Sequence, residues 1–343
     1  MTQSPSPVDV LLTLPFPTNL VAQLQEVSPR LRVSVHGAQK PEDIPPDVWN
    51  RAEVLYTTPQ VLPTEEQAPN LKWIQFHYAG IDKMGNAPIL KKANLQITTM
   101  SGAAVSQMGE YILTMLLSLG HKFPAMTALQ KKADWPKDRW ERLKPLELRG
   151  STVGIVGYGS IGRQAARLLQ AFGATVLATK RNAMAPSDSG YTPEGLGDPD
   201  GDFVHRLYPH TALRSMVKEC DFVVVTLPLN DETRSLVDAS VLAAMKPTAF
   251  IVDVSRGGII EHKALVRALE DHKIAGAGLD VFPEEPLPKD SPLWQMPNVL
   301  ITPHISGVSS HYDERAASMF SVNLRNYLAG QPLYNTYSLE RGY

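Results

Sequence analysis

Three residues that could do acid–base chemistry each follow a short apolar run. Residues 249–254 lead into Ser255-Arg256-Gly257-Gly258, residues 275–282 into Pro283-Glu284-Glu285-Pro286, and residues 299–301 into Thr302-Pro303-His304. If these runs are strands of one parallel sheet, an Arg, a Glu and a His gather on its carboxyl rim, where open α/β sheets bind ligands. Singly, each has an ordinary reading: a solvated turn arginine, a surface glutamate between prolines, a histidine capping a loop. Together they supply a general acid/base, a carboxylate to orient it, and a guanidinium fork for a carboxylate or a developing oxyanion.

A second constellation lies upstream. An apolar run at 153–157 enters Gly157-Tyr158-Gly159-Ser160-Ile161-Gly162, and a helical pattern at 163–172 follows. A further apolar run occupies 175–179. Gly-x-Gly-x-x-Gly between strand and helix is where a dinucleotide pyrophosphate can meet a helix N-terminus. Gly157 permits the turn, Gly159 the approach of phosphate, and Gly162 close helix–strand packing. Sites for NAD place an acidic residue about 20 residues further on, at the ribose 2′-hydroxyl. Here the positions read Thr179-Lys180-Arg181-Asn182, with no carboxylate. Lys180 and Arg181 suit a 2′-phosphate. The reading is therefore NADP(H) as preferred cofactor, with NAD(H) second.

The chain has 343 residues, 43% of them hydrophobic, and a formal charge of −2. The length predicts two domains, each able to bury a core. The charge makes no electrostatic case for nucleic acid or an anionic membrane as partner. Nine His and one Cys suggest no zinc framework. Cys220 reads as core rather than nucleophile. Residues 1–7 show no basic region followed by an apolar core, so no secretory signal is expected. The apolar run 111–120 is about half a membrane span. A cytoplasmic location is the expectation.

The elements that must position these residues form two α/β sets. Apolar runs at 8–14, 31–35, 53–56, 71–76 and 95–99 predict the first parallel sheet, and an apolar helix follows at 103–119. Runs at 153–157, 175–179, 221–226, 249–254, 275–281 and 299–301 predict the second. A last helix is expected over 311–328, with Ala316, Ala317, Phe320, Leu324, Tyr327 and Leu328 at helical spacing. Residues 185–210, rich in Gly, Pro and Asp, read as a long surface loop: disordered, a lid or a partner surface. Trp135 and Trp140, in a polar stretch, read equally as core or as a subunit contact.

These motifs resemble those of the D-isomer-specific 2-hydroxyacid dehydrogenases over almost the whole chain. The resemblance rests on Gly157–Gly162, Val254-Ser-Arg-Gly-Gly258, Gly278-Leu-Asp-Val-Phe-Pro-Glu-Glu-Pro286 and Thr302-Pro-His-Ile-Ser-Gly307. Ser291-Pro-Leu-Trp-Gln295 and the closing Glu340-Arg-Gly-Tyr343 resemble the glyoxylate/hydroxypyruvate reductase A-like branch. The family usually carries an Asp near Lys180, so this departure supports NADP(H).

The resemblance implies two Rossmann-like, doubly wound parallel-sheet domains with a cleft between them. Residues 1–119 and 306–343 would form a discontinuous, flavodoxin-like substrate domain, and 120–305 the dinucleotide domain. Chain crossings near Gly120 and Ser306 would allow domain closure. Arg256, Glu285 and His304 match the family's catalytic set. Ala79, Gly80 and Ile81 match the loop whose backbone N–H groups hold the substrate carboxylate, with Arg256 and His304 also touching substrate. Asp280 matches the residue that holds the nicotinamide carboxamide. Thr226, Leu227, Pro228, Val254, Ser255, Arg256 and His304 would line the cofactor. A homodimer through the cofactor domain is implied.

The expected reaction is reduction of a small 2-keto acid, of glyoxylate or hydroxypyruvate type, to the D-2-hydroxy acid. His304 would donate a proton to the carbonyl oxygen, Glu285 would orient the ring, and Arg256 would clamp carboxylate and carbonyl oxygens. One rival is a dehydrogenase for larger aromatic or branched keto acids, with residues 56–59, His77 and Tyr78 shaping the pocket. Another is a dinucleotide-sensing, corepressor-like binding protein, which would not need the Arg–Glu–His set. A formate dehydrogenase is disfavoured because that branch has Gln where Glu285 stands.

Overall fold

A computed structural model describes residues 6–81 and 87–338, and the chain divides into two compact units. The first unit comprises Met1–Ala104 and Ser309–Tyr343. It contains β1 (Val8–Leu12), α1 (Thr18–Gln25), β2 (Leu31–Val35), α2 (Pro46–Arg51), β3 (Val54–Thr57), β4 (Trp73–Phe76) and β5 (Gln96–Thr98). The strands pair in parallel in the order β2-β1-β3-β4-β5. β3 and β4 are buried at every residue, as central strands of a sheet covered on both faces must be.

The second unit, Val105–Val308, begins with α3 (Val105–Gly120), α4 (Phe123–Lys131) and α5 (Arg139–Arg142). Then come β6 (Thr152–Val156), α6 (Ser160–Ala171), β7 (Thr175–Thr179), β8 (Arg206–Tyr208), α7 (Leu213–Val217) and β9 (Phe222–Val225). α8 (Ala239–Leu242), β10 (Phe250–Asp253), α9 (His262–Glu270), β11 (Gly276–Leu279) and β12 (Val299–Ile301) complete it. Its seven strands are parallel, in the order β12-β11-β10-β9-β6-β7-β8. Strand order reverses between β6 and β9, which makes their carboxyl ends the topological switch point. The final helix, α10 (Tyr312–Leu328), returns to the first unit. There Phe320 packs against Tyr56 and Trp73, with ring centroids 4.9 and 5.3 Å apart. Both units are thus Rossmann-like α/β folds.

Three expectations change. The first boundary falls at Ala104/Val105, not near Gly120, and the second at Val308/Ser309. The reason is α3: it packs against α6, β10 and β11, burying Met108, Ile112, Met115, Leu116 and Leu119 within the second unit. Second, residues 185–210 are not a featureless loop. β8 lies within them as an edge strand, and the rest is fastened to α6 through buried polar contacts. Third, Trp135 and Trp140 are 82% and 74% exposed, so the core reading fails for both. The short α7 and α8 and the strand β8 carry no pattern long enough to be read.

Cys220 is buried, and desolvation pushes its thiol up to about 12, as a core cysteine requires. Among the described residues no single helix is long and apolar enough to cross a membrane. Residues 1–5 and the closing 340–343 lie outside the described residues.

Candidate active site

The glycine turn sits at the switch point. Gly157 has φ +111°, in the left-handed region that glycine adopts without strain. Its N–H donates to Thr179 Oγ1 at 3.2 Å, and the Tyr158 N–H donates to the Thr179 carbonyl at 2.9 Å. From the other side the Thr226 hydroxyl donates to the Gly157 carbonyl at 2.7 Å. The ends of β6, β7 and β9 are thereby tied together. A Cβ on Gly162 would stand 2.3 Å from the Gly157 carbonyl oxygen, so any side chain there would push helix and turn apart. Apart from the adjoining backbone, no atom of the described residues lies within 4 Å of where a Gly159 Cβ would be. That side of the turn is open to a phosphate approaching the N–H groups of Ser160 and Ile161, which begin α6. The donor set fits a dinucleotide pyrophosphate. Leu227 packs on Gly157, and the Pro228 carbonyl accepts the Thr233 hydroxyl at 2.7 Å, so Thr226, Leu227 and Pro228 flank the same opening.

The two cations after β7 diverge. Lys180 Nζ donates to the carbonyls of Ala185 and of Ser187, the latter at 2.7 Å. Burial, then nearby Arg163, holds the Lys180 ammonium below its ordinary pKa. Arg181 instead pairs with Glu232 at 2.6 Å. Tyr158 is 3% exposed and its hydroxyl donates to Asp198, so the turn can meet a cofactor there only through backbone.

Arg256, Glu285 and His304 follow β10, β11 and β12, three adjacent strands of one sheet. Val254 and Ser255 carry the chain from β10 to Arg256. The Ser255 N–H and hydroxyl both donate to Asp253 Oδ1, and Arg256 donates to the Ser255 carbonyl at 2.7 Å. Asp253 is buried, and desolvation raises its carboxyl to about 7. Gly257 is required by close approach: a Cβ there would lie 1.9 Å from the Phe282 carbonyl oxygen. That approach brings the β10 and β11 loops side by side.

His304 and Glu285 are in direct contact, Nδ1 to Oε2 at 2.8 Å. The other Glu285 oxygen accepts the Phe282 N–H at 3.1 Å, which fixes the carboxylate. His304 adopts φ +50°, a strained region for a non-glycine residue. Asp280 enforces it. Fully buried, Asp280 accepts the Thr302 hydroxyl at 2.7 Å, the Ile305 N–H at 3.0 Å and the Ser306 N–H at 2.9 Å. Asp280, the residue matched to the nicotinamide carboxamide, thereby braces the His304 loop.

In the first unit, Ala79, Gly80 and Ile81 follow β4. Ala79 is exposed, while Ile81 is buried in that unit's core. The preceding His77 is anchored on all sides. Tyr56 Oη lies 2.7 Å from its Nδ1, its carbonyl accepts the Tyr312 hydroxyl at 2.6 Å, and Asp313 lies 3.8 Å from its Nε2. Desolvation lowers the His77 ring to about 4.

Four residues of this architecture escaped sequence reading: Arg163, Asp198, Glu232 and Asp253. Only Asp253 carried a local signal, as an ionisable residue inside an apolar run. Among the described residues no group of three or more His, Cys, Asp or Glu could hold a metal ion.

Residues 113–306 match the family described as D-isomer specific 2-hydroxyacid dehydrogenase, NAD binding domain. The glyoxylate reductase of Thermofilum pendens is 31% identical over 78% of this chain and 74% of its own length. The D-3-phosphoglycerate dehydrogenase of Methanocaldococcus jannaschii is 29% identical over 97% of this chain, which spans 60% of that longer relative. Among solved structures, a D-isomer specific 2-hydroxyacid dehydrogenase from Xanthobacter autotrophicus, in complex with NADPH and MES, superposes with a TM-score of 0.77. It is 28% identical, and the match covers 99% of this chain and 100% of that one. With the glycine turn, the paired His304 and Glu285 and this match over more than half its length, the chain belongs to the D-isomer specific 2-hydroxyacid dehydrogenase family.

Proposed function

We propose that the protein reduces a small 2-keto acid, of glyoxylate or hydroxypyruvate type, to the D-2-hydroxy acid, with NADP(H) preferred over NAD(H). The observation that carries this reading is the His304–Glu285 contact on a rim shared with Arg256 and the glycine turn. The glyoxylate reductase relative and the NADPH-bound neighbour support it.

When bound, the nicotinamide supplies the hydride that the keto carbon accepts. His304 donates a proton to the carbonyl oxygen and takes it back in the oxidative direction. With Nδ1 held by Glu285, Nε2 is the ring atom left to exchange that proton. Arg256 holds the substrate's carboxylate and carbonyl oxygens and stabilises the charge that develops on the latter. The N–H groups of Ala79, Gly80 and Ile81 take the carboxylate, which Gly80 lets approach closely. Asp280 braces the His304 loop and takes the nicotinamide carboxamide. The active assembly is a homodimer formed through the second unit, with the exposed Trp135 and Trp140 in the contact, and it works in the cytoplasm.

Initial rates with NADPH and with NADH on glyoxylate, hydroxypyruvate, pyruvate and phenylpyruvate test the reading. NADPH ahead of NADH on the first two acids is the expected result. Phenylpyruvate ahead would move the substrate to the larger class. No turnover with any pair, despite dinucleotide binding, would favour a sensing protein.

A further inference from the structure

The rim beside the glycine turn holds a carboxylate that the sequence after β7 lacks. It comes from the loop after β9. The Asn230 side-chain oxygen accepts the N–H groups of Glu232 and Thr233, at 3.1 and 3.0 Å, and this local turn fixes the Glu232 backbone. Glu232 Oε2 then reaches Arg181 at 2.6 Å. β7 and β9 flank β6 on either side, so the ion pair bridges their carboxyl ends across the glycine turn. Lys180 is turned away into the carbonyls of the 185–187 segment. In dinucleotide folds the 2′ position of the adenosine ribose lies at the end of the strand that precedes Arg181.

We propose that Glu232 sets the balance between NADP(H) and NAD(H), competing with a 2′-phosphate for Arg181 and accepting a hydrogen bond from a 2′-hydroxyl. The proposal rests on the reading of the chain as a dinucleotide-dependent reductase. A phosphate monoester and a carboxylate offer a guanidinium the same two-oxygen face. Both cannot occupy it, and a phosphate carrying about −1.5 to −2 charge is repelled by a neighbouring carboxylate. The side chains of Glu232 and Arg181 are 71% and 46% exposed. An ion pair this exposed is weak, so a 2′-phosphate can displace Glu232 toward solvent. A carboxylate fixed on the strand end itself could not swing away. Glu232 therefore lowers NADP(H) affinity without abolishing it and leaves a partner for the 2′-hydroxyl of NAD(H). His210, after β8, is within electrostatic reach of both groups. Burial first, and Arg181 second, hold its ring below the ordinary pKa, so it adds no cation there at neutral pH.

The test is equilibrium titration by calorimetry of the full chain with NADP+ and with NAD+, for wild type, Glu232→Gln, Arg181→Gln and the double variant. Glu232→Gln is expected to tighten NADP+ about three- to fivefold and to leave NAD+ equal or weaker. In the Arg181→Gln background the same change should no longer tighten NADP+. An NADP+/NAD+ affinity ratio unchanged in Glu232→Gln, with melting temperature retained, overturns the proposal. So does tightening that persists without Arg181. Wild type preferring NAD+ would instead overturn the NADP(H) reading, while the Glu232→Gln ratio still decides the role of Glu232.

Discussion

The strained backbone of His304 is held by Asp280 below it and oriented by Glu285 beside it. Geometry of this kind separates positioning from chemistry. Glu285→Gln keeps a hydrogen-bond acceptor but loses the charge that balances a protonated ring. It is expected to lower kcat about 10- to 100-fold, with NADPH affinity unchanged. Steady-state rates set beside a binding titration check this, and parallel loss of both would remove Glu285 from the chemistry. Asp253 presents the opposite case, a carboxyl buried for structure. Its folded value of about 7 lies above its ordinary 3.8, so the native state binds more protons than the unfolded one. That contribution to stability is full below about 3.8 and is lost as pH rises through 7. Asp253→Asn keeps the acceptor for Ser255 without this penalty. Its melting temperature at pH 8 is expected to rise by about 2 °C or more, with a smaller gain at pH 5. A variant that melts lower at both pH values would contradict the account.

At the scale of elements, the segment between β7 and β8 is the main addition to what the sequence shows. Asp198, 2% exposed, accepts the Tyr158 hydroxyl and the N–H groups of Gly201, Asp202 and Phe203. Its carbonyl accepts Arg163, a 1% exposed guanidinium that also donates to the Pro186 carbonyl, lies 3.7 Å from Asp188 and covers the Tyr158 ring. The segment is thus anchored to the residue inside the glycine motif. Asp198→Ala leaves the buried Tyr158 hydroxyl and three partly buried N–H groups without that partner and is expected to cost about 2 kcal/mol or more. Urea unfolding measures the loss, and limited proteolysis should then cut within 185–205. Unchanged stability and cleavage would refute the anchoring. Local pattern could not show this. Leu31–Val35, Thr175–Thr179 and Val299–Ile301 were legible to the residue because apolar runs meet turn signals at both ends. The burial of Arg163 was not legible because the groups that bury it lie 23 to 35 positions away. Glu232 was silent for the same reason: its partner is 51 positions distant. The glycine turn and the Arg256, Glu285, His304 set were legible because each is a local residue type at the end of a local strand.

For the whole molecule, the same carboxyl-end logic builds both units, yet their buried titratable groups respond to pH in opposite directions. In the first unit His77 has a folded value of about 4 against an ordinary 6.5. The unfolded chain takes up its proton first, so this contribution is present above 6.5 and is lost as pH falls toward 4. In the second unit Asp253 carries the reverse slope over much of the same range. Between about pH 4 and 6.5 the two offset each other, so His77→Gln should make stability fall more steeply as pH rises there, and Asp253→Asn should make it fall more steeply as pH falls. Thermal melts across pH 4 to 8 check both, and a single common shift in both variants would show that the two groups do not act separately. The gathering of Arg256, Glu285 and His304 at adjacent strand ends was legible; the assignment of α3 to the second unit was not, since an apolar helix does not announce which core it joins. The claim at the centre of the account is that His304 is the proton donor of an NADPH-dependent keto-acid reductase. The most direct measurement is the turnover of glyoxylate by His304→Ala, with NADPH affinity measured on the same preparation. A fall in kcat of about 100- to 10,000-fold with affinity retained is expected; turnover that survives, or affinity that falls in parallel, would contradict it.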